Sequence, residues 1–149
     1  MVKNDLSEII SLEGTWDFAL GNDSPWGQIA IPSCWEAAGY SKFMDGPARY
    51  RRYITIPENW AGQTIQAEFE AVSYACEILV NGVKVAEHRG MWTPFEADIS
   101  TEVRPGEENT LELVVFKPGE RYPMRTTLAG FLPDVATTFG GIWQPARLR

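Results

Sequence analysis

Alternation of apolar and polar residues over short runs constrains the fold of this chain more than any other feature. Between positions 63 and 72 the apolar side chains fall at every second residue, at Ile65, Ala67, Phe69 and Ala71. Glutamine and glutamate occupy most of the positions between them. A period of two is typical of an antiparallel strand with one buried face. The sequence therefore predicts sheet packing rather than helix packing.

A β-hairpin is the clearest local prediction. The alternation continues through Cys76, Ile78 and Val80, runs into Asn81-Gly82, and resumes at positions 83–85. Asn-Gly between two alternating runs is typical of a two-residue type I′ turn, because both residues tolerate positive φ. We expect two antiparallel strands joined at this turn.

The remaining strands and turns complete an all-β pattern. Apolar runs predict strands within positions 16–20, 29–31, 50–56, 95–99, 111–116 and 142–148. Helical periodicity is nearly missing from the sequence, and single helical turns are expected only at positions 6–10 and 99–103. Eight or nine short strands bounded by proline and glycine predict an antiparallel β-sandwich or jelly roll. At 149 residues, the chain has the length of one domain.

Charge and cysteine content exclude several functional classes. The net charge is −7 and the isoelectric point is near 4.7, without the clustered Lys and Arg that nucleic-acid binding requires. No apolar segment of signal-peptide or membrane-spanning length is present, so we expect no membrane partner. We expect the chain to be soluble, and either cytoplasmic or part of an exported protein whose leader is missing from this sequence. Cys34 and Cys76 lack metal-ligand spacing and are expected to be buried free thiols, with no metal and no cofactor.

Two irregular segments interrupt the strand rhythm. One spans positions 34–49 and the other spans positions 117–138, which is rich in proline and glycine. Connections of this length inside a compact domain are usually functional or disordered. These two segments are therefore the expected location of any functional surface.

An ordered set of motifs carries a family resemblance. Near the end of the chain the sequence reads Thr138-Phe139-Gly140-Gly141-Ile142-Trp143-Gln144-Pro145, in which the two glycines are expected to permit close backbone passage where the long loop re-enters the sheet. Earlier pieces in matching order are Leu12-Glu13-Gly14-Thr15-Trp16, Ile31-Pro32-Ser33-Cys34-Trp35, Tyr50-Arg51-Arg52-Tyr53, Phe69-Glu70-Ala71-Val72-Ser73 and Thr93-Pro94-Phe95. The set resembles the N-terminal jelly-roll, galactose-binding-like domain of glycoside hydrolase family 2, the β-galactosidase, β-glucuronidase and β-mannosidase group. The resemblance covers nearly the whole chain.

The resemblance implies a non-catalytic role for this chain. Catalysis in the family rests on two glutamates of a separate (β/α)₈ barrel, which needs roughly 250 residues. The family's acid/base glutamate follows an asparagine, and no Asn-Glu dipeptide occurs here. We therefore expect no catalytic residue in this chain, which would be the N-terminal domain of a larger glycosidase. Its partners would be the other domains of that enzyme, with carbohydrate bound weakly or only in their presence.

Substrate contacts are expected from the two irregular segments. In the resemblance, Asp134 occupies the place from which several members reach an acidic side chain to the sugar, where a carboxylate can accept hydrogen bonds from two hydroxyls. The alternative is that Asp134 caps a turn after Pro133. Tyr122 and Arg125 in that segment and Trp35 in the other are the further substrate-binding candidates. The asparagine that galactosidases place near positions 41–45 is missing, so the sugar stays open.

Two alternatives and three local expectations complete the sequence analysis. One alternative is an independent carbohydrate-binding module that uses exposed Trp and Tyr, with Trp26, Trp35, Trp60 and Trp92 as candidates for stacking on sugar rings. The other alternative is a scaffold without sugar contact. His88 is expected at a strand end, as a surface or rim residue. Arg52 is expected to face inward and to pair with Glu70 or Asp17. An apolar patch facing neighbouring domains would favour homo-oligomers of the isolated chain.

Overall fold

The computed structural model describes residues 8–119, 121 and 139–149, and this part of the chain consists almost entirely of strands and turns. The strands are β1 (Ile10–Ser11), β2 (Gly14–Leu20), β3 (Gly27–Ile31), β4 (Ala48–Thr55), β5 (Gln66–Phe69), β6 (Val72–Ser73), β7 (Ala75–Val80), β8 (Val83–Arg89), β9 (Phe95–Asp98), β10 (Glu108–Phe116), β11 (Gly141–Ile142) and β12 (Ala146–Leu148). A 3₁₀ turn, Glu58–Trp60, lies between β4 and β5.

The strands form two main antiparallel sheets. The larger sheet has the order β3-β2-β4-β10-β7-β8, and the smaller has the order β1-β12-β5-β9. A short additional pair joins β6 to β11. Neighbours in these sheets that are far apart in sequence, such as β4 and β10, are typical of a jelly roll rather than of a simple meander. The predicted all-β, antiparallel β-sandwich fold is confirmed.

The core lies between the two sheets and follows the alternation read from the sequence. In β10, Leu111, Leu113 and Val115 are buried, whereas the residues between them are partly exposed. In β5, which belongs to the opposite sheet, Ala67 and Phe69 are also buried. Each strand thus turns one face to the core, as period-two patterning requires.

The predicted hairpin is present and its turn has the expected geometry. Asn81 has φ of 50° and Gly82 has φ of 83°, the positive values that a type I′ turn demands. The Asn81 side-chain amide donates to the Glu102 carbonyl and to Asn109 Oδ1, both at 2.9 Å. Asn109 is buried, and its own amide donates to the carbonyls of Arg104 and Glu107. The turn and the loop beside it are therefore held by one network of amides.

The prediction that Arg52 pairs with Glu70 or Asp17 is wrong. Asp17 lies directly opposite Arg51 in the β2–β4 register, so these two side chains share a sheet face and pair at 3.3 Å. Arg52 points to the other side of β4 and donates to the Glu13 carbonyl at 3.0 Å. Glu70 pairs with Arg147 instead.

The expected helical turns have different outcomes. Ile10 belongs to β1 and pairs with Leu148, so a helical turn reaching Ile10 is wrong. The Val103 N–H donates to the Ile99 carbonyl at 3.1 Å, which confirms a single hydrogen-bonded turn there. Both cysteines are free thiols as predicted, with Cys76 buried and Cys34 half-buried. Within the described residues, no helix has the length and apolar character needed to cross a bilayer.

Candidate functional site

The two irregular segments meet at one end of the sandwich, here called the loop end. It comprises residues 36–47, 90–94, 117–119, 121 and 139–140. The N–H of Trp35 donates to the Gly140 carbonyl at 2.8 Å, and the N–H of Lys117 donates to the Asp45 carbonyl at 2.9 Å. These backbone bonds tie the first connection to both ends of the second.

The Glu36 carboxylate joins the two ends of the second connection. Its Oε2 atom receives the Lys117 ammonium in a short ion pair, and its Oε1 atom accepts the Gly140 N–H at 3.1 Å. Lys117 Nζ also donates to the Lys42 carbonyl at 2.8 Å. We call Glu36, Lys117 and Gly140 the clamp. Through it, three segments that are distant in sequence are held at one point.

Burial makes the clamp energetically important. The Lys117 side chain is 4% exposed and that of Glu36 is 17% exposed. Removing one partner of a buried ion pair costs about 3–5 kcal/mol, because the remaining charge is left desolvated and unpaired. The Lys117 ammonium also lies 5.5 Å from the centroid of the Trp35 ring, a favourable cation–π distance. The clamp therefore holds its geometry only while both charges are present.

The two glycines of the Gly140-Gly141 pair are required for close packing. A Cβ at Gly140 would lie inside van der Waals contact of the Trp35 ring. Gly141 has φ of +123°, a conformation that other residues rarely adopt, and a Cβ there would meet the Tyr50 hydroxyl. The expected close passage of this backbone segment is confirmed, and Trp35 is the side chain that it passes.

Trp35 is the one predicted substrate-binding residue within the described part of the chain. Its side chain is completely buried, and its indole Nε1–H donates to the Ser41 carbonyl at 3.2 Å. The ring packs under Gly140 and near Phe18. In this structure Trp35 therefore supports the loop end from inside and offers no surface to a sugar. The other three candidates, Tyr122, Arg125 and Asp134, lie outside the described residues.

Three aromatic rings form an exposed cluster at the loop end. Trp92 contacts Trp143 edge to face, with centroids 5.5 Å apart, and contacts Phe139 at 5.8 Å. Phe139 and Trp143 contact each other at 5.3 Å. Trp143 is fixed in turn by its Nε1–H, which donates to the Met91 carbonyl at 3.0 Å. We call Trp92, Phe139 and Trp143 the aromatic triad; the sequence offered no signal that these rings come together.

The other predicted surface tryptophans are less accessible. Trp60 is buried, and its indole N–H donates to the Glu8 carboxylate. Trp26 is 37% exposed, but the guanidinium groups of Arg51 and Arg49 lie 4.0 and 4.8 Å from its ring. Both residues serve mainly structural contacts.

His88 lies near the end of β8 and is half-buried rather than fully on the surface. Its Nε2 atom is 3.0 Å from the Thr93 hydroxyl, and its ring stacks on Phe95 with centroids 4.2 Å apart. Burial lowers the pKa of His88 below its usual value. These contacts are those of a packing residue next to the aromatic triad.

One depression on the outer face of the smaller sheet contains several carboxylates. It has a volume of about 390 Å³ and is lined by Glu68, Glu70 and Glu96 together with Arg147 and Arg149. The Arg147 guanidinium binds Glu68 at 2.9 Å and Glu70 at 3.1 Å. Glycoside hydrolysis needs two carboxylates that face each other across the scissile bond. Here two of the three share one arginine on the same sheet face, which is the arrangement of a surface ion-pair network.

Metal chemistry has no candidate site in the part of the chain that the structure describes. No group of three or more His, Cys, Asp or Glu side chains there is placed to hold an ion.

Curated relatives match this chain over part of their length. A β-glucuronidase from Paenibacillus borealis is 31% identical over 124 residues, which cover 72% of this chain and 21% of the relative. A β-galactosidase from Thermoanaerobacter pseudethanolicus is 32% identical over 100 residues, covering 67% of this chain and 13% of the relative. The chain therefore spans about a fifth or less of the length of these relatives.

Solved structures share the fold. The β-glucuronidase of Lactobacillus rhamnosus superposes with a TM-score of 0.79 at 22% identity, covering 99% of this chain and 29% of that one. The β-glucuronidase of Faecalibacterium prausnitzii gives a TM-score of 0.73 at 23% identity, covering 98% and 32%. The model of the glycosyl hydrolases family 2 sugar binding domain matches residues 38–125, more than half of the chain. This chain belongs to that family of domains.

Proposed function

We propose that this chain is a non-catalytic domain of a family 2 glycosidase, and that its loop end shapes the entrance to an active site on a barrel domain. The reaction of the whole enzyme would be hydrolysis of an O-glycosyl bond. The observation that carries the proposal is the clamp, which fixes both ends of the segment containing Asp134. A buried ion pair at the base of a connection fixes the position of that connection. This supports a role in which the connection contacts a neighbouring domain.

The distribution of carboxylates supports a role without catalysis by the chain itself. Glu36, an enclosed acidic side chain at the loop end, is committed to Lys117 and Gly140. Glu68 and Glu70, on the smaller sheet, are committed to Arg147. Neither set offers a carboxyl pair with space for a sugar between its members.

The relatives support the reaction class. They are β-glucuronidases and β-galactosidases several times longer than this chain. The proposed partners are accordingly the other domains of one enzyme, with the sugar contacted by Asp134 and flanking residues Tyr122 and Arg125.

The first experiment is an activity assay on the purified chain with nitrophenyl β-glucuronide, β-galactoside and β-mannoside. We expect no turnover above the buffer rate with any of them. Turnover by the pure chain would overturn the proposal, because it would require a catalytic site within these 149 residues.

The second experiment uses the complete natural enzyme that contains this domain. Asp134→Asn is expected to lower kcat/KM by about tenfold or more, since one lost charge-assisted hydrogen bond is worth roughly 1.5–3 kcal/mol. Asp23→Asn is the matched control, because Asp23 is an exposed aspartate in the β2–β3 connection, next to the loop end. Equal kcat/KM values for the two variants would contradict the role of Asp134.

A further inference from the structure

We propose that Trp92 forms a sugar-stacking site of this domain itself, at the loop end, for pyranose rings with an apolar face of axial C–H bonds. This inference goes beyond the proposed function, because the contact needs no residue of a barrel domain. The ligand class is a β-linked pyranoside with at least one apolar ring face, either neutral or carrying a uronic acid.

Exposure selects Trp92 among the six tryptophans. Its side chain is 63% exposed, whereas Trp16, Trp35 and Trp60 are buried and Trp143 is half-buried. Trp26 is 37% exposed and lies under two guanidinium groups. Trp92 is therefore the indole with the most surface available to a ligand.

The site is organised before any ligand arrives. Trp92 is held at a large angle to Trp143 (87°) and to Phe139 (65°). Behind these rings, the Phe139 carbonyl accepts the Ser73 hydroxyl at 2.8 Å, and the next residue, Gly140, is held by the clamp. A fixed aromatic ring loses little conformational entropy on binding, which favours weak ligands such as single sugar rings.

The surroundings favour a ring-sized ligand over a protein surface. Among the described residues, the other apolar residues that are at least half exposed belong to other segments: Phe43 to the 36–47 part of the loop end, and Ile9, Tyr53 and Val83 to segments outside it. Stable protein interfaces bury about 800 Å² per partner around a contiguous core. One projecting indole flanked by two half-buried rings matches the face of a pyranose instead, and the domain family is one of sugar binding.

Stereochemistry defines the ligand class. When every ring substituent is equatorial, both faces of a pyranose present axial C–H bonds, and such a face packs on an indole as an apolar surface. An axial hydroxyl, as in galactose, places oxygen on one face and leaves the opposite face apolar. A gluco-configured ring can therefore stack through either face and a galacto-configured ring through one, so we expect both to bind with similar affinity.

The test follows the indole N–H signals of the full chain by nuclear magnetic resonance. Methyl β-glucoside, methyl β-glucuronide and methyl β-galactoside are titrated separately. We expect a saturable shift of the Trp92 signal with a Kd of about 1–20 mM for at least one of these ligands. The glucoside and glucuronide titrations distinguish a neutral ligand from a charged one.

Substitutions decide whether Trp92 carries the binding. Trp92→Ala is expected to weaken binding by at least about tenfold, whereas Trp92→Tyr stays within about threefold of the unchanged chain because it keeps an aromatic face. Trp26→Ala is the matched control and is expected to leave the Kd unchanged. Thermal melting of each variant confirms that the fold is retained.

Three results would overturn the site. They are a missing saturable shift with every glycoside up to about 50 mM, an unchanged Kd for Trp92→Ala, or a self-association in sedimentation that Trp92→Ala abolishes. The last result would identify Trp92 as a contact between copies of the chain. None of these outcomes depends on Asp134, so failure of the proposed function and failure of this site are separable.

Discussion

The two ends of the sandwich are held together in different ways. At the loop end, Glu36 bonds Lys117 and Gly140, which are 81 and 104 residues away in sequence. At the opposite end, here called the hairpin end and comprising residues 81–84 and 98–109, the contacts of Asn109 with Arg104 and Glu107 span 5 and 2 residues. The Asn81 amide adds contacts with Glu102 and Asn109 that span 21 and 28 residues. A buried ion pair between distant segments therefore orders one end, and neutral amides over shorter separations order the other.

The difference teaches where a functional surface can be built on this fold. Short turns supply their own hydrogen bonds, so the hairpin end needs only Asn, Gly and a few amides. Long connections lack such internal pairing and need support from the sandwich below them. The clamp, with Trp35 beneath it, provides that support at the loop end.

The largest expected effect is at the clamp. Lys117→Met should lower the free energy of unfolding by about 3–5 kcal/mol, because the buried Glu36 carboxylate loses its counter-ion. The double variant Glu36→Gln with Lys117→Met should recover part of that loss, since the amide still accepts the Gly140 N–H. Urea unfolding at constant m-value measures both. A loss below about 1 kcal/mol for Lys117→Met would place the clamp in the class of surface ion pairs.

Glycine substitutions compare packing at one end with backbone conformation at the other. Gly140→Ala should cost about 1–3 kcal/mol through overlap with Trp35. Gly82→Ala should cost about 1–2 kcal/mol through its positive φ alone, because the space around it is open.

Asparagine substitutions distinguish steric overlap, expected at Gly140, from the cost of positive φ, expected at Gly82. Gly82→Asn should recover most of the loss, since asparagine tolerates positive φ, whereas Gly140→Asn should be worse than Gly140→Ala. Denaturant midpoints of the four variants provide the comparison. Recovery by asparagine at both positions would contradict the packing explanation for Gly140.

Acid titration should affect His88, which lies in β8 next to the 90–94 segment of the loop end, before it affects the hairpin end. Burial lowers the pKa of His88, so the unfolded chain binds more protons below about pH 6.5 and stability falls as the pH drops through that region. The hydroxyl and then the backbone N–H of Ser100 lower the pKa of Asp98, whose contribution is present above about pH 3.8 and is lost only in stronger acid.

The single imidazole makes this prediction direct to measure. One histidine resonance should titrate below its usual pKa, and His88→Gln should flatten the stability profile between about pH 5 and 7. A His88 pKa above about 6.5 would contradict the role assigned to burial.

The smallest effect is expected for the ion pairs of the hairpin strands. Lys84 bonds Glu77 at 2.7 Å and Glu87 at 2.9 Å, but all three side chains are largely solvated. Lys84→Met should change the melting temperature by no more than about 2 °C, because exposed pairs contribute little. It is also the control for Lys117→Met. Equal losses for the two lysine variants would remove the distinction between the two ends.

Local patterning predicted the strands, because the alternation of apolar and polar residues within each strand shows which of its faces is buried. The alternation around Phe69 and Leu113 and the Asn81-Gly82 turn are properties of neighbouring residues, and the structure confirms them. Ile10 was wrongly expected in a helical turn because its partner, Leu148, is at the far end of the chain.

The candidate site was predicted less completely for the same physical reason. The motif around Gly140-Gly141 indicated a close backbone passage, but nothing local indicated that Trp35 lies beneath it or that Glu36 meets Lys117. The local sequence around a loop tryptophan also does not show whether its side chain is buried, as in Trp35, or exposed, as in Trp92. Only the pairing of distant segments distinguishes these cases.

The bridging carboxylate of Glu36 also bears on how this domain tolerates insertions. With both ends of the 118–139 connection anchored at one point, the entropy of closing that loop grows only logarithmically with its length, by roughly 0.6 kcal/mol for each doubling. Residues added or exchanged between the anchors leave the sandwich nearly as stable as before. Insertions and substitutions between the anchors should therefore be tolerated as long as Glu36, Lys117 and Gly140 are kept.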